Sequence, residues 1–357
     1  MKNAKADDAI DVLKGSVNLK LTTGGVKVTN SGGSVIVNNQ EVKQNDTVTT
    51  SDRDVFGKDK AVRYAGATRY DTALKTADAL KKSLGVDAFD NIIVADGTNY
   101  PDALAGNYLA KTKNAPLILV NHNAESEKMI KDYIDANLAK KGTVYILGGT
   151  GAVASSFEKS LKDFDVKRLG GSSRYDTNIE ILKEAGVNEE DLLVCTGEDF
   201  ADSLSASAAG KPILLTAKSG INNTQKKYLD TLKTKDIYLI GGTGVISEKI
   251  SEQMKSYDQD KTVDRVAGDT RYLTSVAVAK KFCAKDSETV VLAYAQNFPD
   301  GLSGGPLALS LDAPLLLVDQ SNHQAAADYA KNTGIKKAVV LGGPSLISDD
   351  IVSKIVQ

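Results

Sequence analysis

Apolar residues recur along this chain in two alternating patterns. Unbroken apolar runs stand at Leu117 to Val120 and again within KPILLT from Lys211 and APLLLV from Ala313. Such runs predict strands covered on both faces. Between the runs, apolar residues fall three and four apart, as in Leu74, Ala77 and Leu80, which predicts helices with one buried stripe. A half-apolar strand is predicted around Val62 to Ala65, ending at Gly66, with further strands at Asn91 to Ala95, Asp191 to Cys195, Thr289 to Ala293 and Thr143 to Leu147. Thr68, Ser173 and Thr270 stand where helix N-caps belong, and Asp71 and Asp176 follow three residues later in a capping-box arrangement. Leu273 takes that place in the third case, so a weaker helix start is expected there. Other helices are expected from about Glu125 to Ala139 and through Val153, Phe157 and Leu161. Pro101 and Pro299 favour a first helical turn, with Asp102, Asp202 and Asp300 near its positive end.

These elements repeat three times in one order. RYAGATRYDTA from Arg63 matches RLGGSSRYDTN from Arg168 and RVAGDTRYLTS from Arg265. YPDALAG from Tyr100 matches FADSLSA from Phe200 and FPDGLSG from Phe298. YILGGTGAVAS from Tyr145 matches YLIGGTGVISE from Tyr238 and VVLGGPSLISD from Val339. A unit of about 100 residues suits a whole small domain better than a solenoid turn. The reading is α/β, with (βα)₄ units carrying a parallel, doubly wound sheet. The divisions are 61–165, 166–262 and 263–357. Residues 1–60 precede them, with alternating stretches such as Val17 to Leu21 punctuated by Gly24-Gly25 and Gly32-Gly33. A short helix followed by a β-meander is expected there, too small to stand alone and leaning on a repeat or on a partner chain.

Composition narrows the function. The 44 basic and 46 acidic residues nearly cancel, which argues against broad nucleic-acid binding. No apolar run approaches the roughly 18 residues of a membrane span. Two Cys cannot build a disulfide scaffold. The opening MKNAKADDAIDVLK has no apolar signal-peptide core, so the chain reads as cytoplasmic or as a mature fragment with an initiator Met. Of the 44 basic residues 37 are Lys and 7 Arg, and six of those Arg form identically spaced pairs: Arg63 and Arg69, Arg168 and Arg174, Arg265 and Arg271. Lys evidently serves for surface charge, so the repeated Arg implies a need for the planar fork that grips carboxylate or phosphate bidentately. Either each Arg ties repeats together through an Asp such as Asp102, Asp202 or Asp300, or it faces a groove and holds an anionic ligand. The residues leave both open.

Catalytic and metal residues are not expected. His122 and His323 occupy unmatched positions and read as surface loop residues, and Cys195 and Cys283 read as core thiols. Asp96 stands alone at a strand end, with Thr196 and Ala295 at the corresponding places, which does not make a metal-binding acid cluster. The GGTG turns lack the P-loop Lys and the dinucleotide GxGxxG, and read as tight turns needing positive φ, with anion contact a minor addition.

The R-x-x-G-x-x-R-Y-x-T, PDALAG-like, P-[IL]-[IL]-L and L-G-G-x-x-x-[IV]-[AS] blocks resemble cell wall binding repeat 2, the triple anchoring module of clostridial cell wall and S-layer proteins. The resemblance spans residues 61–357. Ala201 in place of proline, Lys211 in place of Ala, and Pro344-Ser345 in place of Thr-Gly depart from it. It implies a pseudo-threefold arrangement of Rossmann-like repeats, no cofactor, and non-covalent attachment to an anionic wall polysaccharide at the cell surface. It also implies that residues 1–60 carry a separate role, read here as docking an S-layer partner polypeptide. An alternative is a lattice subunit whose repeats mainly make protein–protein contacts.

Overall fold

The computed structural model describes residues 9–19, 26–37, 40–49, 55–56 and 59–356. The N-terminal part contains β1 (Ala9–Val12), β2 (Ser16–Leu19), β3 (Lys27–Asn30), β4 (Ser34–Val37), β5 (Gln40–Val42) and β6 (Thr47–Thr49). They form two small sheets, ordered β1-β3-β6 and β2-β4-β5. The pairs β1/β3 and β2/β4 are parallel, so this is not a meander; only β5 and β6 pair antiparallel. The expected short helix fails where it can be seen, because Ala9–Val12 is a strand; residues 1–8 lie outside the described set. Glycine turns carry the chain between the two sheets. Gly15 and Gly33 adopt φ of 99° and 129°, and each passes the chain from one sheet to the other. A Cβ on Gly33 would lie 2.2 Å from the Gly15 carbonyl oxygen, so the two turns stack with no room for a side chain. Val12, Leu19, Val26, Val28, Val35, Val37 and Val42 form this unit's own small core, whereas Val55 and Phe56 join the main one.

The first repeat runs through β7 (Ala61–Tyr64), α1 (Arg69–Leu84), β8 (Phe89–Asp96), α2 (Pro101–Ala105), α3 (Asn107–Lys113), β9 (Leu117–Val120), α4 (Ala124–Asn137), β10 (Leu138–Leu147) and α5 (Ser155–Ser160). The second has β11 (Asp165–Leu169), α6 (Arg174–Glu184), β12 (Leu192–Thr196), α7 (Ala201–Ala206), β13 (Ile213–Thr216), α8 (Asn223–Leu229), β14 (Ile237–Ile240) and α9 (Glu248–Lys255). The third has β15 (Val263–Val266), α10 (Arg271–Phe282), β16 (Thr289–Tyr294), α11 (Gly304–Ser310), β17 (Leu315–Val318), α12 (Gln324–Thr333), β18 (Lys337–Leu341) and α13 (Asp349–Ile355). Thr68, Ser173 and Thr270 cap their helices as expected. The weaker third start is visible, since the first turn of α10 holds no acid and Leu273 is left 43% exposed. One expected helical turn is absent: Pro299 to Ser303 form turns, and the helix begins only at Gly304. Gly301, in place of the Ala and Ser of the other copies, disfavours helix and sits where a Cβ would press on Leu204 at 2.8 Å.

The sheets do not follow the sequence blocks. Their orders are β9-β8-β10-β11, β13-β12-β14-β15 and β17-β16-β18-β7, all parallel. The leading strand of each repeat therefore completes the sheet of the repeat before it, and β7 closes the ring by pairing with β18. In the second and third repeats strand residues alternate between two cores, whereas Ile92, Ile93, Val94 and Ala95 of β8 all belong to the shared one. Leu193 and Cys195, Val291 and Ala293 face a central core shared by all three repeats. Leu192 and Val194, Val290 and Leu292 face outer cores of their own repeats. At the centre Tyr100, Phe200 and Phe298 form a triangle, with ring centroids 5.4 to 6.1 Å apart and planes tilted by about 60°. Edge-on aromatic contacts of this kind add about 0.5–1.5 kcal/mol beyond their burial.

Removing residues 1–64 should strip β18 of β7, one of its two neighbours. Hydrogen exchange should then accelerate first in β16, β17 and β18, while the β12–β14 sheet keeps its protection. Replacing Phe200 by Ala, which breaks two of three ring contacts, should lower stability by about 2–3 kcal/mol in urea unfolding.

Candidate functional site: the clefts between repeats

The Arg motif is a joint between repeats, and its two arginines act differently. The first of each pair lies on the leading strand, already inside the sheet of the preceding repeat. Arg63 donates to the carbonyls of Gly342 and Ile347, both at 2.8 Å, and to Asp349 at 2.7 Å. Arg265 donates to the Gly241 carbonyl at 2.8 Å and to Glu248 at 3.0 Å. Arg168 donates to the Gly148 carbonyl at 2.9 Å and through Nε to Glu158 at 2.9 Å. Its Nη2 sits 2.8 Å from the same carboxylate, close enough for an ion pair but off the line of a hydrogen bond. Asp349 and Glu248 are the first residues of their helices, whereas Glu158 reaches in from one turn later because Ser155 occupies the first position. The fork thus staples the glycine turn of one repeat to the helix that follows it. The partner acids are not the Asp102, Asp202 and Asp300 that the sequence offered.

The glycine turns carry a second constraint. Gly148, Gly241 and Gly342 have φ of 98°, 111° and 98°. A Cβ there would also lie 2.5, 2.3 and 2.6 Å from the carboxylates of Asp102, Asp202 and Asp300. The turn reading of these glycines holds, and it also explains where the three Asp go: under the turn, at the strand ends.

The second Arg begins the next helix and faces a cleft. Arg69, Arg174 and Arg271 each donate one Nη1 hydrogen bond to a strand-end carbonyl of their own repeat, those of Gly97, Gly197 and Ala295. Each guanidinium lies over an aromatic ring of the preceding repeat: Arg69 over Phe298 at 5.8 Å, Arg174 over Tyr100 at 5.8 Å, Arg271 over Phe200 at 5.3 Å. This equivalence also corrects a register: the counterpart of Asp96 and Thr196 is Tyr294, because Ala295 matches Gly97 and Gly197. Asp96 itself holds the backbone N–H and hydroxyl of Thr98 at 2.8 Å.

Between repeats 1 and 2 these groups enclose a cleft of about 350 Å³. Asp96, Asn99 and Asp102 line one wall, Gly149, Gly151 and Ala152 the second, and Ser173, Arg174 and Thr177 the third. Burial pushes the Asp102 carboxyl up to about 6, opposed by Arg174 and helped by Asp96. Burial, with Asp199 beside it, pushes Asp202 up to about 6 against the pull of Arg271 and the Thr274 hydroxyl. Asp300 is raised too, by burial, while the Thr72 hydroxyl and Arg69 hold it down. At two joints the threonine of R-x-x-G-x-x-R-Y-x-T thus meets the Asp of the preceding repeat, and in all three copies Thr72, Thr177 and Thr274 accept the N–H of the motif glycine, at 3.0 to 3.1 Å.

The nine candidate residues thus collect at three joints, with Arg63, Arg168 and Arg265 inside them and the other six at the clefts. The aromatic triangle and the Thr–Asp contacts were missed in the sequence, although an aromatic at one motif position in all three copies was a readable signal. His122 is exposed, with Nε2 2.9 Å from the Gly151 carbonyl oxygen, and His323 stands at the start of α12. Burial raises both thiols, Cys283 to about 12, so neither is a thiolate at neutral pH. Among the described residues no group of three or more His, Cys, Asp or Glu could hold a metal ion, and no helix is long and apolar enough to cross a membrane.

Comparison with known proteins agrees with the repeat geometry. The model of cell wall binding domain 2 (CWB2) matches residues 63–158, 168–251 and 265–352. The chain is 27% identical over 303 residues to the N-acetylmuramoyl-L-alanine amidase LytC of Bacillus subtilis, covering 82% of this chain and 57% of that one. It is 30% identical over 308 residues to the amidase enhancer of the same organism, covering 83% and 40%. The chain thus spans about half the length of these relatives. Among solved structures, Cwp8 from Clostridium difficile superposes with a TM-score of 0.72 at 26% identity, over 83% of this chain and 51% of that one. Cwp6 from the same organism shares the fold, with a TM-score of 0.70 at 24% identity, over 88% and 50%.

The raised carboxyls make stability depend on pH in an uncommon direction. With a folded value near 6 and an unfolded value near 4, Asp102 and Asp202 bind protons more tightly when folded. Their ionisation therefore weakens the fold as pH rises through 6. Asp319, held down to about 2 despite burial by Tyr272, Gln296 and two backbone N–H groups, has the opposite effect below pH 4. Thermal midpoints should rise from pH 7 to pH 5 and fall again below pH 4. In the Asp102→Asn, Asp202→Asn double variant the rise between pH 7 and 5 should shrink.

Proposed function

The chain belongs to the cell wall binding domain 2 family, and from that membership we propose that it acts as a non-catalytic, non-covalent anchor to an anionic polysaccharide of the cell wall. The observation that carries this reading is the second Arg of each pair. Arg69 and Arg174 each spend one hydrogen bond on the protein and rest on an aromatic face, and Arg174 lines the cleft between repeats 1 and 2. A guanidinium so placed keeps donors for a phosphate or carboxylate in the bidentate geometry that Lys cannot supply. On this reading the first Arg of each pair serves the joint, while Arg69 and Arg174 keep donors for a ligand.

Three equivalent Arg–aromatic pairs, one at each joint, suit a long polymer with regularly spaced charges. Linking weak sites raises overall affinity by roughly 10²–10⁴ over any one of them. The attachment places the protein at the outer surface, in the wall or S-layer. The described strands between Ala9 and Val42 have a core of their own, which favours a separate task for the N-terminal segment, the docking of a partner polypeptide.

The test is co-sedimentation with de-proteinised Gram-positive walls before and after chemical extraction of their phosphate polymer. The protein should pellet with intact walls, stay in solution with extracted ones, and be released near 1 M salt, where the screening length falls to about 3 Å. Pelleting that ignores extraction would refute the proposal.

A further inference from the structure

We propose that the three inter-repeat joints are unequal anion sites, and that the one between repeats 3 and 1, where Arg69 lies over Phe298, is the dominant one. The inference rests on the anchoring reading above and adds which part of the ring does most of the holding.

One residue position sets the three joints apart. Asn99, Asp199 and Asn297 precede the central aromatic in the three repeats, and each accepts the N–H of that aromatic residue, at 2.9, 2.6 and 2.9 Å. The backbone bond fixes all three side chains in one orientation. In repeat 2 alone the side chain is a carboxylate, and its second oxygen lies 3.6 Å from Nη2 of Arg271. The Arg that should receive an external anion at that joint already has an internal one. An incoming phosphate would have to displace Asp199 or share the guanidinium with it.

The cleft between repeats 1 and 2 carries a different burden. Asn99 is neutral, but Asp96 lines the wall, so a bound anion would face a negative charge beside Arg174. At the third joint both positions are neutral, Tyr294 standing for Asp96 and Asn297 for Asp199. The deep carboxyl under the glycine turn is common to all three as Asp102, Asp202 and Asp300, and cancels in the comparison. Asp71, at the start of α1, is turned to the Thr68 N–H and hydroxyl, and its counterpart Asp176 does not line the cleft beside it. Arg69 therefore has the least competition.

The test swaps residues that the protein already tolerates. Asn297→Asp gives the third joint the acid of the second, and Asp199→Asn relieves the second; either side chain can accept the same backbone N–H, so both variants should melt like the parent. Affinity is measured on de-proteinised walls that retain their phosphate polymer, with Arg69→Lys and Arg271→Lys alongside. Asn297→Asp and Arg69→Lys should each weaken binding about fivefold, the range an exposed charge pair commands. Asp199→Asn should strengthen it by a similar factor, and Arg271→Lys should change it less than twofold. Equal losses for the two Arg variants, or no response to Asn297→Asp, would overturn the ranking while leaving polymer-dependent anchoring intact. Parent binding that ignores removal of the polymer would overturn the anchoring and the ranking together.

Discussion

A guanidinium that cannot lose its charge must be surrounded by acceptors, and the ring of repeats is built around that demand. Arg63, Arg168 and Arg265 each reach from a leading strand to a glycine-turn carbonyl and an acid of the preceding repeat. Each of these arginines can be satisfied only if its strand lies in the neighbour's sheet. The fork therefore sets strand order as well as stabilising it. Hydrogen bonds to charged groups are worth about 1.5–3 kcal/mol each, enough to decide which of two parallel edges a four-residue strand joins. The same geometry closes the ring: Arg63, near the start of the repeats, is held by Gly342, Ile347 and Asp349, near their end.

From that joint the site follows. With the leading strand fixed, its helix starts at the strand ends of the repeat before, and the second Arg comes to lie over the central aromatic of that repeat. The buried Asp under the glycine turn supplies a charge that the second Arg partly balances and that burial partly suppresses. A joint and a binding cleft are thus two sides of one motif, which accounts for a spacing of six residues between the arginines in every copy.

Much of this was legible in the sequence. Repeats, helix caps, buried strands and the turn role of Gly148 could be read because each leaves a local signal: a period, a capping hydroxyl, a residue free to take positive φ. The exchange of the leading strand left none, since a parallel pairing between repeats depends on which edge is near, and β7 reads the same beside either sheet. The parallel pairing of the N-terminal strands was hidden for a similar reason, as alternation specifies a strand but not the direction of its neighbour. The partners of the first Arg were missed because they lie on a short helix, and in one copy, at Glu158, a turn further along. The aromatic triangle leaves a signal in Tyr100, Phe200 and Phe298 at one motif position, but an aromatic there reads equally well as an ordinary core residue of its own repeat.

The scarcity of arginine makes the central division of labour directly measurable. Protein labelled with 15N at arginine carries only seven Nε–H groups, and six of them belong to the joints. These signals can be followed by NMR while soluble phosphate polysaccharide, released from walls, is added. The account predicts shifts at Arg69 and Arg174, with the larger at Arg69, and unmoved signals from Arg63, Arg168 and Arg265. Shifts confined to the latter three, or an unchanged spectrum at saturating polymer, would contradict it.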